Sequence, residues 1–249
     1  MSNSSLATYT KISPNRTSPR NHKIDTITIH CAVGQFTAKQ LLNLSRFVTP
    51  DSEWGASCNY AVGHDGSIGI GVEEKDRSWC SSNAGNDHRA ITIEVASDKT
   101  HPYKVTDSAY KALINLLVDI CKRNKIKELK WEADESLIGK IDKQNMTVHR
   151  WFANKSCPGD YLYFRHGQIA KEVNNRLNSK KIEPYKVKVE ITDLNIRKGP
   201  GTNYSTTGNY TGKGVFTIVE ESKGSGSDRG WGKLKSGAGW ISLDFAKKI

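Results

Sequence analysis

Near residue 180 the chain changes character, and that change constrains the fold more than any single motif. Before it, runs of β-branched residues alternate with helical patterns. After it no helical period occurs, and eleven of the 21 glycines fall in residues 185–249. Asn178-Ser-Lys-Lys-Ile-Glu-Pro184 reads as a short polar linker between the two regimes. A chain of 249 residues is long enough for two domains. The expected division is residues 1–178, a linker at 179–184, and residues 185–249.

In the first part, Ile24–Cys31 (IDTITIHC) and Ala90–Ala96 (AITIEVA) alternate with period two and read as strands. Asn59–Val72 reads as a hairpin turning at Asp65-Gly66. Thr37–Val48, with Leu41, Leu42 and Leu44, reads as a helix. Thr106–Arg123 is a stronger one, capped by Thr106 or Asp107, with Leu113, Leu116, Leu117, Ile120 and Cys121 as its apolar stripe. A last helix, residues 161–177, follows Pro158-Gly159. Strands mixed with helices predict an α/β domain, a mixed central sheet flanked by helices. In the second part, Lys186–Val189, Gly214–Glu220, Gly230–Leu234 and Gly239–Leu243 are short apolar runs separated by Gly, Asn and Ser. They predict a small all-β barrel.

A net charge of +11 calls for a polyanionic partner: nucleic acid, an anionic lipid surface or an acidic wall polymer. Residues 185–249 alone carry 11 basic and 6 acidic side chains. No block of five like charges and no arginine-lined helix occurs, which argues against nucleic acid. No run approaches the ~18 apolar residues of a membrane span, and the expectation is no membrane insertion. The start, MSNSSLATYT, lacks a basic region followed by an apolar one, so the expectation is no signal peptide and a cytoplasmic product. Five cysteines, odd in number and widely spaced, favour a metal site or buried thiols over a disulfide framework.

Strand parity locates a first candidate site. Ile27, Ile29 and Cys31 share one face of their strand, and Thr26, Thr28 and His30 the other. On the second strand Ile91, Ile93 and Val95 oppose Thr92 and Glu94. If the strands share a sheet, His30 and Glu94 converge, while Cys31 faces away into the core. In MTVHRWFANKSCPGDY, Cys157 follows His149 by eight residues and Lys155 lies between them. Two imidazoles and one thiolate suit Zn²⁺ and leave its fourth position for water. On spacing alone, a buried histidine beside a structural cysteine explains the same residues.

The blocks TITIHCAVG, NYAVGHDGSI, AITIEV and HRWFANKSCPGD together resemble type 2 N-acetylmuramoyl-L-alanine amidases, the family of phage amidase lysozymes and animal peptidoglycan recognition proteins. The resemblance implies one zinc ion held by His30, His149 and Cys157, Glu94 as general base, and Lys155 beside the developing oxyanion. It places Trp79 and Asn83 in the substrate groove. It also departs from some relatives, which carry a tyrosine where Cys58 stands, so Tyr60 is read as a packed strand residue. In the second part, LNIRKGPG (194–201) and GWGKLKSGAGWIS (230–242) resemble bacterial SH3-like (SH3b) wall-binding domains. Tyr204, Tyr210 and Trp231 are the expected groove residues there, and Trp240 is expected in the core.

Taken together, the resemblances imply a monomeric phage endolysin. It would be held in the host cytoplasm until released to the wall, with Gram-positive peptidoglycan and wall polymers as partners. The alternatives are a host autolysin and a non-enzymatic peptidoglycan-recognition module. Cys157 argues against the module, whose members typically lose that ligand.

Overall fold

The computed structural model describes residues 2–51, 55–178 and 180–249. The chain divides into two compact units, Met1–Val173 and Asn174–Ile249.

Unit one contains β1 (Tyr9–Thr10), β2 (Arg16–Thr17), β3 (Thr26–Cys31), β4 (Tyr60–Val62), β5 (Ile68–Ile70), β6 (Arg77–Ser78), β7 (Ala90–Val95) and β8 (Met146–Thr147). Its helices are α1 (Ala38–Leu42), α2 (Ser45–Val48), α3 (Ala84–Arg89), α4 (Asp107–Arg123), α5 (Gly159–Tyr163) and α6 (His166–Leu177), the last running on past Val173. Six strands form a mixed sheet in the order β1-β5-β4-β7-β3-β8, with only the β4–β5 hairpin antiparallel. Gly66 takes φ +86° in the hairpin turn, a conformation that glycine adopts without a Cβ clash. Helix α1 packs on β4 and β5, α4 on β4, and α5 on β3. This is the α/β architecture the alternation of elements predicts.

Thr106 is the α4 cap: its side chain accepts a hydrogen bond from the Ala109 amide and donates one to the His64 carbonyl. The five stripe residues of α4 are all fully buried, each contributing about 1.5–3 kcal/mol of apolar burial. Tyr60 is likewise fully buried, and its hydroxyl donates to Glu74 Oε1 at 2.6 Å.

Two expected helices are broken. Thr37–Val48 is α1 and α2, because the Asn43 amide closes α1 on the Gln40 and Leu41 carbonyls and Leu44 turns extended to start α2. Residues 161–177 divide at Phe164–Arg165, where α5 ends on a tight turn before α6.

Unit two carries β9 (Lys180–Val189), β10 (Asn195–Arg197), β11 (Thr206–Tyr210), β12 (Gly214–Ser222), β13 (Trp231–Leu234), β14 (Trp240–Ser242) and β15 (Ala246–Lys248). They form an antiparallel sheet in the order β11-β10-β14-β13-β12-β9-β15. Val187, Val189, Leu194, Ile196, Ile218 and Leu234 are among the buried side chains of its own core. The segment 179–184, expected as a linker, is strand from Lys180 onward, because β12 is long enough to pair with it: Glu221 lies opposite Lys180 and Glu220 opposite Lys181. Strands β10, β11 and β15 escape the sequence reading, being short and poor in alternation.

Candidate active site

Parallel pairing of β3 with β7 fixes the first two groups. The register sets His30 opposite Glu94 and Thr28 opposite Thr92, so strand alternation sends both ionisable side chains to one face. Beneath them the threonines are hydrogen-bonded. Thr28 Oγ1 lies 2.8 Å from Thr147 Oγ1, and Asn86 donates to Thr28 and accepts from Thr147. His149 enters just past β8 on a single 3₁₀ turn, and Cys157 follows in the loop before α5.

His30 Nδ1 is 3.3 Å from Cys157 Sγ, and the rings of His30 and His149 lie 5.1 Å apart. One donor atom from each of His30, His149 and Cys157 falls within 4.8 Å of the other two. A tetrahedral Zn²⁺ ion holds nitrogen and sulfur ligands about 3.5 Å apart, so the His30–Cys157 pair already has that spacing. Burial, with His149 and Arg46 adding, holds the His30 pKa well below its usual value. Burial and then the Lys155 charge lower that of His149. Both imidazoles are therefore kept neutral, the form that ligates metal. Burial raises the Cys157 thiol well above its ordinary range, with Cys31 and Glu94 adding; a coordinated cation removes such a proton outright. The three side chains fit a zinc ion.

Desolvation pushes the Glu94 carboxyl up to about 7 against the opposing charge of Arg46. A carboxyl tuned to neutrality matches what a general base needs. All of this opens on a cleft of about 760 Å³, whose walls include Glu94, His149, Lys155, Cys157, Trp79 and Asn83.

Residues 20–160, more than half of the chain and the stretch holding every one of these groups, match the sequence model of N-acetylmuramoyl-L-alanine amidase. The chain belongs to that amidase family. It is a peptidoglycan amidase. No curated protein matches the chain. Among solved structures, the endolysin amidase LysCS of Clostridium intestinale is similar at 16% identity, with 69% of this chain and 99% of that one covered and a TM-score of 0.46. A mutant endolysin from Bacillus subtilis gives 16% identity, coverages of 66% and 97%, and a TM-score of 0.47. AmpD gives 18% identity, coverages of 67% and 96%, and a TM-score of 0.47.

The amidase cleft holds residues that sequence reasoning passed over. Cys31, expected in the core, is buried but also lines the cleft at the end of β3, where the sheet face gives way to the cleft rim. Cys80 Sγ lies 4.0 Å from Glu94 Oε1. Ser82, at φ +61°, has its hydroxyl 3.0 Å from His149 Nε2, the kind of outer partner that orients a ligand ring. Arg46 sits on the cleft wall and bears on Glu94. All but Cys31 arrive from loops or a four-residue helix, so no periodicity marks them; for Cys80 the cysteine itself was the one available signal. Trp79 and Asn83 have structural tasks besides lining the cleft. Trp79 Nε1 donates to Thr17 Oγ1, and Asn83 caps α3.

In unit two, Trp231 is only 2% exposed, since β13 turns it inward, and it lines a cavity of about 330 Å³ with Leu194, Arg197 and Phe245. Tyr204 and Tyr210 lie outside that cavity. The Tyr204 hydroxyl accepts from Asn175 Nδ2 at 2.6 Å, and Tyr210 is exposed on β11. Trp240 is buried. Among the described residues no helix is long and apolar enough to cross a membrane.

Proposed function

We propose that the amidase is a zinc-dependent endolysin that hydrolyses the amide between N-acetylmuramic acid and L-alanine in Gram-positive peptidoglycan, with its C-terminal β unit holding the wall. The convergence of His30, His149 and Cys157 beside Glu94 in one cleft carries this reading. A Zn²⁺ ion held by the three side chains supplies Lewis acidity toward the scissile carbonyl and acidifies a water. Glu94 accepts the proton of the attacking water and returns it to the departing amine nitrogen of L-alanine. Lys155, exposed on the cleft wall, offers its ammonium to the negative charge growing on the carbonyl oxygen. Trp79 and Asn83 flank the same cleft and position the muropeptide.

The second unit, with 11 basic and 6 acidic side chains in residues 185–249, suits anionic wall polymers. Its Tyr210, exposed on β11, Tyr204 and the Trp231 cavity are separate contact points for it. The enzyme works as a monomer that reaches the wall from the cytoplasm.

Purified Gram-positive peptidoglycan, digested with and without a chelator, tests the reading. New N-terminal alanine without new reducing sugar, lost on chelation and restored by zinc, is expected. New reducing ends, or chelator-resistant cleavage, would overturn it.

A further inference from the structure

Cys80 has no task in the hydrolysis, yet it stands among metal-binding groups. One donor atom each from His30, Cys80 and Glu94 lies within 4.8 Å of the other two, a second such set beside His30, His149 and Cys157. Two atoms of these side chains are orphans: His30 Nε2 and Glu94 Oε2 are buried without a hydrogen-bond partner among the described residues. His30 is wholly buried and Glu94 is 9% exposed. Buried polar atoms left unpaired in a native fold ask for a ligand. The position of Cys80 is fixed, because its amide donates to Asp87 Oδ2 at 2.9 Å and the next residue, Ser81, gives Asp87 both its amide and its hydroxyl. Imidazole, thiolate and carboxylate are the donors that borderline-soft divalent ions take. Around such an ion they sit about 3.4–3.6 Å apart, so movements of about 1 Å close the set.

We propose that His30, Cys80 and Glu94 form a second position for a thiophilic divalent cation, Zn²⁺ itself when in excess, filled beside the ion of the first set and removing Glu94 from the reaction. The proposal rests on the zinc reading of the first set. A ring shared by two ions uses both nitrogens and gives its remaining N–H proton to solvent, as Cys80 gives up its thiol proton. The carboxylate that must take a proton from water is then a metal ligand, so excess zinc acts as an inhibitor.

Metal-free full-length protein titrated with Co²⁺ gives the test, read by thiolate-to-cobalt absorption and by metal analysis after dialysis. Two ions per chain are expected, the second adding a second thiolate band, and one ion in Cys80→Ser and Cys80→Ala. Without any substitution, the second equivalent should also protect Cys80 from alkylation by iodoacetamide. Excess Zn²⁺ should slow wall hydrolysis by the unaltered enzyme about a hundredfold, the low end of what a general base contributes. One ion per chain overturns the second position and leaves the first standing, whereas no bound ion overturns both. Two ions in the Cys80 variants, or Cys80 alkylated as fast after the second equivalent as before it, place the second ion elsewhere and overturn the proposal.

Discussion

At the scale of single residues, two substitutions separate binding from proton transfer. Cys157 is one of three donors, and its Sγ already stands at ligand spacing from His30. Cys157→Ala is therefore expected to lose bound zinc and activity together; an active variant with no metal by elemental analysis would refute the assignment. Glu94 lies outside that first set. Glu94→Gln is expected to keep the first ion while the rate falls by about 10²–10⁴, the usual share of a general base. A variant that hydrolyses peptidoglycan at the unaltered rate would remove Glu94 from the chemistry. Parity in two short runs was enough to nominate His30 and Glu94, because a strand has only two faces. Nothing comparable marked Cys80 or Ser82, whose positions depend on the Asp87 carboxylate gathering the amides of Cys80 and Ser81.

At the scale of elements, α6 begins on a buried titratable group. His166 is wholly buried, its Nδ1 lies 2.8 Å from the Leu162 carbonyl, and its ring meets Trp131 at 4.5 Å between centroids. Burial lowers its pKa to about 4. The unfolded chain, titrating near the usual 6.5, thus binds more protons than the folded one between pH 6.5 and 4, and stability falls as pH drops through that window. The loss at pH 5 is about 2 kcal/mol. His166→Phe lacks this liability. With both proteins metal-free, its unfolding free energy from urea titration, relative to the unaltered chain, should rise by that amount from pH 7.5 to pH 5. A pH-independent difference would show that folding leaves the His166 pKa unshifted. The break before α6 and the one after α1 had no signal in the apolar pattern. Period 3.6 persists across a turn whose backbone closes on carbonyls of the preceding residues.

At the scale of the whole molecule, chemistry and charge are divided between two units, each with its own core. A chain ending at Asn178 retains all of α6, and it should stay folded, keep its metal and lose most of its retention on sedimented walls. Retention by the full chain should weaken as salt rises, since exposed charges are screened beyond about 10 Å at 0.1 M. Undiminished wall retention by the truncated chain would reassign the binding. The sequence by itself determined the α/β and all-β halves, the strand faces and the types of ligand, because each follows from local periodicity or side-chain chemistry. Only the tertiary structure decided that β3 and β7 pair in the register that sets His30 against Glu94. It also brought Arg46, Cys80 and Ser82 to the cleft beside that pair, and buried Trp231 against a cavity that Tyr204 and Tyr210 do not line. Those outcomes depend on non-local pairing and on loops held by buried hydrogen bonds, which leave no period along the chain.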